Sequence, residues 1–404
     1  MFGGDDMNRD DFPMLSGDII YFDNGATTLK PKCVIDKISD YYCNYSANAH
    51  RGDYKISVKV DSLYEGVRDK VRDFINANSS SEIVFTSGCT DGINRVVFGY
   101  FKYKLKPGDE VLITESEHAS NILPWFILEK SIGIKVKYIP LDSNNEVTIS
   151  NIDKVVSDKT RVISLAYITN VIGDIRPIRD ICEYAHKRNI LVMVDGAQSA
   201  SHIKMDMQVD DIDFLTVSAH KMCGPTGVGF LYGKFNLLSD MVPISYGGGM
   251  NAMFLPDGYM ELREVPIRFE AGTQNIAGVI GMGEAIDYLN NIGFKNIVRY
   301  EHELKEYLVN KMSNLDNVIM YNANNVGNTL IFNIRDVFSQ DTSIYLDKHN
   351  ICIRAGNHCA KILNNVFDVN NTCRISLSFY NTREEIDKLI EVLSNSANIY
   401  NEII

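Results

Sequence analysis

The sequence predicts an α/β protein with a large domain built on a mostly parallel sheet and a smaller α+β domain at the C-terminal end. Two patterns carry this expectation. From about residue 80 to residue 235, short β-rich runs alternate with amphipathic helical stretches, the order that yields parallel strands covered on both faces. After about residue 290 the alternation gives way to a long helical stretch followed by shorter elements. Length agrees, because 404 residues exceed what one compact unit usually holds. The expected large domain spans residues 20–290, and the small domain comprises 1–19 plus 291–404.

The strand candidates of the large domain are residues 82–86 (EIVFT), 110–114 (EVLIT), 161–167 (RVISLAY), 191–195 (LVMVD) and 214–218 (FLTVS). Helix candidates 92–101, 120–131 and 178–189 lie between them. Upstream, Val60, Leu63, Val67, Val71 and Phe74 recur at helical spacing, which predicts a long helix ending near Ala77 with its apolar stripe in the core. In the small domain a helix over 296–314 is followed by elements at 329–334, 341–349 and 351–354. A strand at 373–378 and a helix at 382–395 close the chain, with Thr382 as N-cap and Glu385 completing a capping box. Gly247-Gly248-Gly249 and the stretch to Leu262 read as an irregular loop.

Composition excludes several function classes. Acidic residues outnumber basic ones by 52 to 40, for a net charge of −12, and no long basic run exists to neutralise a phosphate backbone. Nucleic acid is therefore not an expected partner. Residues 1–18 are acidic and interrupted by glycine and proline, unlike a secretory leader, so the protein reads as cytoplasmic. No stretch approaches the ~20 apolar residues that cross a bilayer. The eight cysteines include no C-x-x-C pair, which argues against a disulfide framework or a zinc knuckle.

Chemistry concentrates in a few blocks. Lys221 stands in Ser218-Ala219-His220-Lys221-Met222-Cys223-Gly224, just past a buried strand and before a glycine-rich turn. That position is the crevice at the strand carboxyl ends, where open α/β sheets bind ligands. Asp195 ends the apolar run LVMVD, either as a helix cap or as a charge held for a cationic ligand. Beside a Schiff-base lysine, such a carboxylate keeps a pyridine nitrogen protonated. Thr86-Ser87-Gly88-Cys89-Thr90-Asp91-Gly92 joins a strand to a helix, and backbone N–H groups there, with the Thr90 hydroxyl, suit a phosphate. The run GPTGVG from Gly224 to Gly229 departs from the dinucleotide spacing G-x-G-x-x-G, which disfavours a Rossmann oxidoreductase.

Taken in order, YFDNGATT, TSGCTDGIN, SEHASNILPW, VDGAQSA, SAHKMCGPTGVG, RFEAGTQN and RAGNHCA span nearly the whole chain. Together they resemble the group II, Suf-type cysteine desulfurases of the class V aminotransferase superfamily, enzymes of PLP-dependent transferase fold type I. The resemblance implies pyridoxal 5'-phosphate borne on Lys221, with His118 stacked on its ring, Asp195 at the ring nitrogen and Gln198 at the phenolic oxygen. It assigns the phosphate to Cys89 through its backbone, Thr90, Ser218 and His220, and to Thr273 from the second subunit of a homodimer. Asn170, Arg354 and Arg374 would orient L-cysteine, with Arg374 on its carboxylate, and His50 and Arg51 match an N-terminal substrate-binding segment. Cys359 would take the sulfur as a persulfide for a Suf-type acceptor protein and iron–sulfur cluster assembly.

The chain also departs from the family's usual pattern. Asn357 stands where a second histidine is common, Cys89 where threonine is common, and Lys361-Ile362 replaces a segment that usually carries proline. Activation of the Cys359 thiol is expected from His358 or Arg354. Selenocysteine lyase and cysteine sulfinate desulfinase share the scaffold and stay open as alternatives. A non-catalytic sulfur or metal carrier using Cys352, His358, Cys359 and Cys373 is the reading from another class, and it leaves Lys221 and Asp195 without a purpose.

Overall fold

The computed structural model describes residues 9–50, 52–396 and 399–403. A seven-stranded sheet is built from β2 (Ile83–Thr86), β3 (Glu110–Ile113), β4 (Lys135–Tyr138), β5 (Thr160–Ala166), β6 (Leu191–Asp195), β7 (Phe214–Ser218) and β8 (Gly229–Gly233), in the order β2-β8-β7-β6-β5-β3-β4. The run from β4 to β7 is parallel, and β8 is antiparallel to both β7 and β2. The link from Ser218 to Gly229 is too short for a crossover helix, so β8 must return alongside β7 in the opposite sense. Successive residues alternate between two cores: Phe85, Ile163, Val194 and Leu215 pack on one side, and Val84, Val162, Met193 and Phe214 on the other. Edge strand β4 (KVKY) carries lysines and is less buried, which blunts edge pairing.

A second, antiparallel sheet of β11 (Val318–Met320), β12 (Thr329–Ile334), β14 (Arg354–Gly356) and β15 (Thr372–Ser376) runs in the order β11-β12-β15-β14. Its core joins Leu304 and Leu308 of the helix Phe294–Met312 to Phe332, Ile375, Ile386 and Leu389. The N-terminal segment ties into this part of the molecule. Strand β1 (Ile20–Tyr21) pairs in parallel with β13 (Ile351–Cys352), and Asp23 then bridges to Ser376. The residues that follow, Asn24 to Thr28, run between the two sheets and meet His220 of the large one.

Most elements stand where the sequence puts them. Thr382 Oγ1 accepts from Glu385 N and Glu385 Oε2 accepts from Thr382 N, the expected capping box. Three differences have physical reasons. The expected loop between Gly249 and Leu262 contains an antiparallel hairpin of β9 (Asn251–Phe254) and β10 (Met260–Leu262), closed at Pro256-Asp257-Gly258 with Gly258 at φ 92°. That proline-Asp-Gly sequence is a turn signal in its own right. The expected element at 351–354 divides at Ile353, because Ile351–Cys352 pairs with β1 while Arg354–Gly356 pairs with β15. The helix expected at 92–101 begins earlier, as Cys89–Val96 directly after Gly88 at φ 144°, and ends in a π turn at Val97–Phe101.

Candidate active site

A cavity of 210 Å³ opens where β5, β6 and β7 end, and residues of the second sheet and its loops close its far side. From the large sheet come Asp195 at the end of β6, Ser218 at the end of β7 and Lys221 in the short turn after it. Arg374 of β15, Arg354 of β14 and Cys359 face them from the other side. His118, Asn170 and Gln198 also line the space, on the loops after β3, β5 and β6.

Lys221 Nζ makes no hydrogen bond or ion pair among the described residues. Burial pulls its pKa below the usual lysine range, although Asp195 works in the opposite direction, and a lysine so treated holds more of the neutral, nucleophilic amine. Asp195 Oδ1 accepts from Ala197 N at 2.9 Å and from the Cys89 thiol at 3.1 Å. Burial first, then the Asp195 charge, push the Cys89 thiol well above its ordinary range, so this sulfur stays protonated and donates. The Cys89 N–H donates to Ser218 Oγ at 2.7 Å, because the chain at Gly88 passes close against β7.

Polar residues gather around that approach, with Cys89, Thr90, Ser120, Ser218 and His220 all lining the cavity. A side chain at position 88 would place its Cβ 3.1 Å from Ser218 Oγ on a backbone of φ 144°, so this close approach to β7 calls for glycine. Thr90 Oγ1 lies 2.7 Å from Ser120 Oγ, and Ser120 is a cavity-lining residue that sequence reasoning missed although it sits two places after His118. His220 is depressed to about 4 by burial and then by Lys221, which leaves it neutral. His118 is neutral as well, lowered by burial first and by Lys221 second. Its Nδ1 accepts from Ser120 N at 3.1 Å, which assigns the ring proton to Nε2.

The opposite wall is cationic. Arg374 is 2% exposed, with Nη1 donating to Asn170 O at 2.9 Å and Nη2 to Asp23 Oδ1 at 2.9 Å. Its Nε has no partner, and neither does the buried Asn170 Oδ1. Asn170 Nδ2 donates to His358 O at 2.7 Å, and Ala119 N donates to Cys359 O at 2.8 Å. These two bonds hold the cysteine segment against the loops after β5 and β3. The segment itself is tightly curved, with Gly356, His358 and Cys359 at φ 126°, 50° and 57°. Cys359 is exposed.

Thiol activation by a cationic His358 is not what the geometry offers. Burial first, then Arg374 and Arg354, lower His358 to about 3, and its Nε2 meets Thr372 Oγ1 at 2.9 Å. The cations of this wall are the two arginines. Asp23, which pairs with Arg374 and lies 3.8 Å from Arg354, was also missed by sequence reasoning, since the pairing joins opposite ends of the chain. Two expected residues do not line this cavity: His50 lies beside Glu65 and Tyr64 in a separate pocket, and Thr273 is exposed with Oγ1 accepting from Asn48. Arg51 falls outside the described residues. The carrier ligands are also scattered, with the Cys373 thiol donating to Ser339 O, and the described residues hold no group of three His, Cys, Asp or Glu able to bind a metal.

The family model for class-V aminotransferases matches residues 20–389. The chain belongs to this family. A probable cysteine desulfurase of Halalkalibacterium halodurans is 40% identical over 398 residues, covering 97% of this chain and 98% of that protein. A cysteine desulfurase of Wigglesworthia glossinidia brevipalpis is 38% identical and covers 95% of each chain. Among solved structures, the apo cysteine desulfurase of Thermococcus onnurineus NA1 superposes with a TM-score of 0.93 at 34% identity, covering 98% of this chain and 99% of that one. An Escherichia coli cysteine desulfurase in its S-sulfonic acid form gives 0.91 at 32%, covering 97% and 98%. The shared architecture is fold type I, as the motif blocks imply.

Proposed function

We propose that this chain is a PLP-dependent cysteine desulfurase that converts L-cysteine to L-alanine and keeps the sulfur as a persulfide on Cys359. The observation that carries the proposal is the meeting of Lys221 and Cys359, from opposite sides, in one cavity. Pyridoxal 5'-phosphate suits the residues there: an unpartnered lysine amine, a buried carboxylate for the ring nitrogen, a neutral histidine for the ring face and the hydroxyls of Thr90, Ser120 and Ser218 for the phosphate. When bound, this cofactor serves as the sink for the electron pair left at the substrate Cα.

The residues then divide the work. Lys221, low in pKa, takes the Cα proton. Arg374 and the unpartnered Asn170 Oδ1 hold the substrate carboxylate and amine, which fixes the side-chain sulfur toward Cys359. Cys359 thiolate attacks that sulfur, the sulfur–Cβ bond breaks with its electron pair left on carbon, and a proton makes the methyl group of alanine. His118, protonated on Nε2, is the proton donor within the cavity.

The finer reading is a Suf-type enzyme of the cytoplasm, divided near residue 290 and acting as a homodimer that hands sulfur to an acceptor protein. The short segment between β14 and Cys359 supports the subgroup. Exposed Thr273, outside its own chain's cavity, suits the phosphate site of a partner. The test is incubation of the holoenzyme with L-cysteine and a reductant. Alanine and sulfide should appear in equal amounts, and mass spectrometry without reductant should find one extra sulfur on Cys359. Cys359→Ser should keep its colour and lose turnover by several orders of magnitude, each tenfold being ~1.4 kcal/mol. Extra sulfur on Cys352 or Cys373, with Cys359→Ser still active, would refute the assignment.

A further inference from the structure

We propose that Asp23 is a specificity residue: a resident carboxylate between Arg354 and Arg374 that tunes the substrate seat to amino acids carrying one negative charge, the carboxylate, and no second anionic group. The inference rests on the reading of the cavity as an amino-acid site. Its geometric basis is independent of the cofactor. Asp23 Oδ1 lies 2.9 Å from Arg374 Nη2 and Oδ2 lies 3.8 Å from Arg354 Nη1, so one carboxylate bridges both guanidinium groups of the wall. Two positive charges and one negative leave a net charge of one, which a single substrate carboxylate neutralises.

The hydrogen-bonding capacity of Arg374 points the same way. Nη1 is committed to Asn170 O and Nη2 to Asp23, while Nε is buried without a partner. Gly25 lies close to the guanidinium, where a Cβ would come within 3.1 Å of Cζ, so the lack of a side chain there leaves Arg374 room to sit beside Asp23. An entering carboxylate therefore shares Arg374 with Asp23. Arg354 is more open, with 41% of its side chain exposed, and it is the cation that a second anionic group on the substrate side chain would seek. Asp23 already faces it. A sulfinate or a second carboxylate thus meets a cation whose charge is partly cancelled, together with repulsion from Asp23 itself, whereas the neutral thiol of cysteine meets neither.

Asp23 is 19% exposed, and its main-chain carbonyl accepts from Ala26 N, so Asp23→Asn alters charge while keeping shape and backbone contacts. Its Oδ1 can still accept from Arg374. The binding probes are L-alanine and L-aspartate, followed on the holoenzyme by the shift of the cofactor's visible band. The turnover probes are L-cysteine and L-cysteine sulfinate. In Asp23→Asn, the affinity for L-aspartate relative to L-alanine should rise by about tenfold, with the sulfinate-to-cysteine ratio of kcat/KM rising in step, chiefly through KM. Adding Arg354→Gln to Asp23→Asn restores the net charge and should bring both ratios back toward wild type.

Arg354→Gln alone gives a second, independent reading should Asp23→Asn fold poorly, since it should lower the L-aspartate ratio below wild type. Ratios within twofold of wild type in folded, coloured variants would overturn the role of Asp23. A wild-type holoenzyme that binds L-alanine but releases none from L-cysteine would instead overturn the desulfurase reading, and the L-aspartate measurement would still decide the role of Asp23.

Discussion

Arg176 offers the sharpest test of how the fold supports the site. Its side chain is fully buried and joins two loops that border the cavity. It pairs with Glu117, which directly precedes His118, and donates to Thr114 Oγ1 at 2.9 Å and Ser116 Oγ at 2.8 Å. Its Nε also reaches Asp174 at 3.2 Å, in the loop that carries Asn170. Glu117 is equally buried and keeps Asn121 Nδ2 and Ala166 N on its other oxygen. Arg176→Met would leave its carboxylate facing no cation. Removing one partner of a buried pair costs roughly 3–5 kcal/mol, mostly because the remaining charge is stranded. Glu117→Gln in the same protein removes that charge, so the double variant should regain about half of the loss. Urea unfolding followed by circular dichroism measures both, and alanine release should fall by about a hundredfold in Arg176→Met as the His118 loop shifts. A loss below about 1 kcal/mol, or a double variant less stable than Arg176→Met, would refute the reasoning.

Two further outcomes follow from buried lysines. Lys221→Ala should fold normally yet lose the borohydride-reducible visible band of the purified protein; an unchanged band would mean that another amine bears the cofactor. Lys305, buried beside the second sheet with Nζ on Thr329 O, is lowered to about 7 by burial, whereas an unfolded lysine titrates near 10.4. Between those values the unfolded chain binds more protons, so this group makes stability rise with pH from about 7 to about 10, and its full cost is present below 7. Lys305→Met should therefore stabilise the protein by a few kcal/mol at pH 6 and by much less at pH 10. Thermal melts in which the gain does not shrink would contradict the assigned burial.

The elements and residues legible in the sequence are those whose cause is local. LVMVD and FLTVS read as buried strands because, Thr216 aside, their residues are apolar until the polar terminus, and that terminus is where Asp195 and, three residues past the second strand, Lys221 enter the cavity. Thr382 and Glu385 announced a helix start because a capping box closes within four residues. The seven motif blocks named the family for the same reason, each being a short contiguous run. Hairpin β9–β10 is masked in the sequence because a flexible glycine triplet directly precedes it, so its proline-Asp-Gly turn reads as part of one loop.

What only the tertiary structure decided are the properties that arise when distant segments meet. His358 looks like a cation in the sequence, yet it is packed between Arg354, Arg374 and Thr372, where a proton on its ring would be both desolvated and repelled. Cys89 carries no local sign of what its thiol meets, and that thiol turns to Asp195 because β6, β7 and the helix start converge there. Asp23 carries no local sign of its partners, since Arg354 and Arg374 reach it only after the N-terminal segment has crossed to β13 and β15. Residue type and spacing determine which groups the chain can offer. Charge state, hydrogen-bond partner and the direction of a side chain depend on desolvation and on neighbours brought together by folding, and these are sums over space that no stretch of sequence contains.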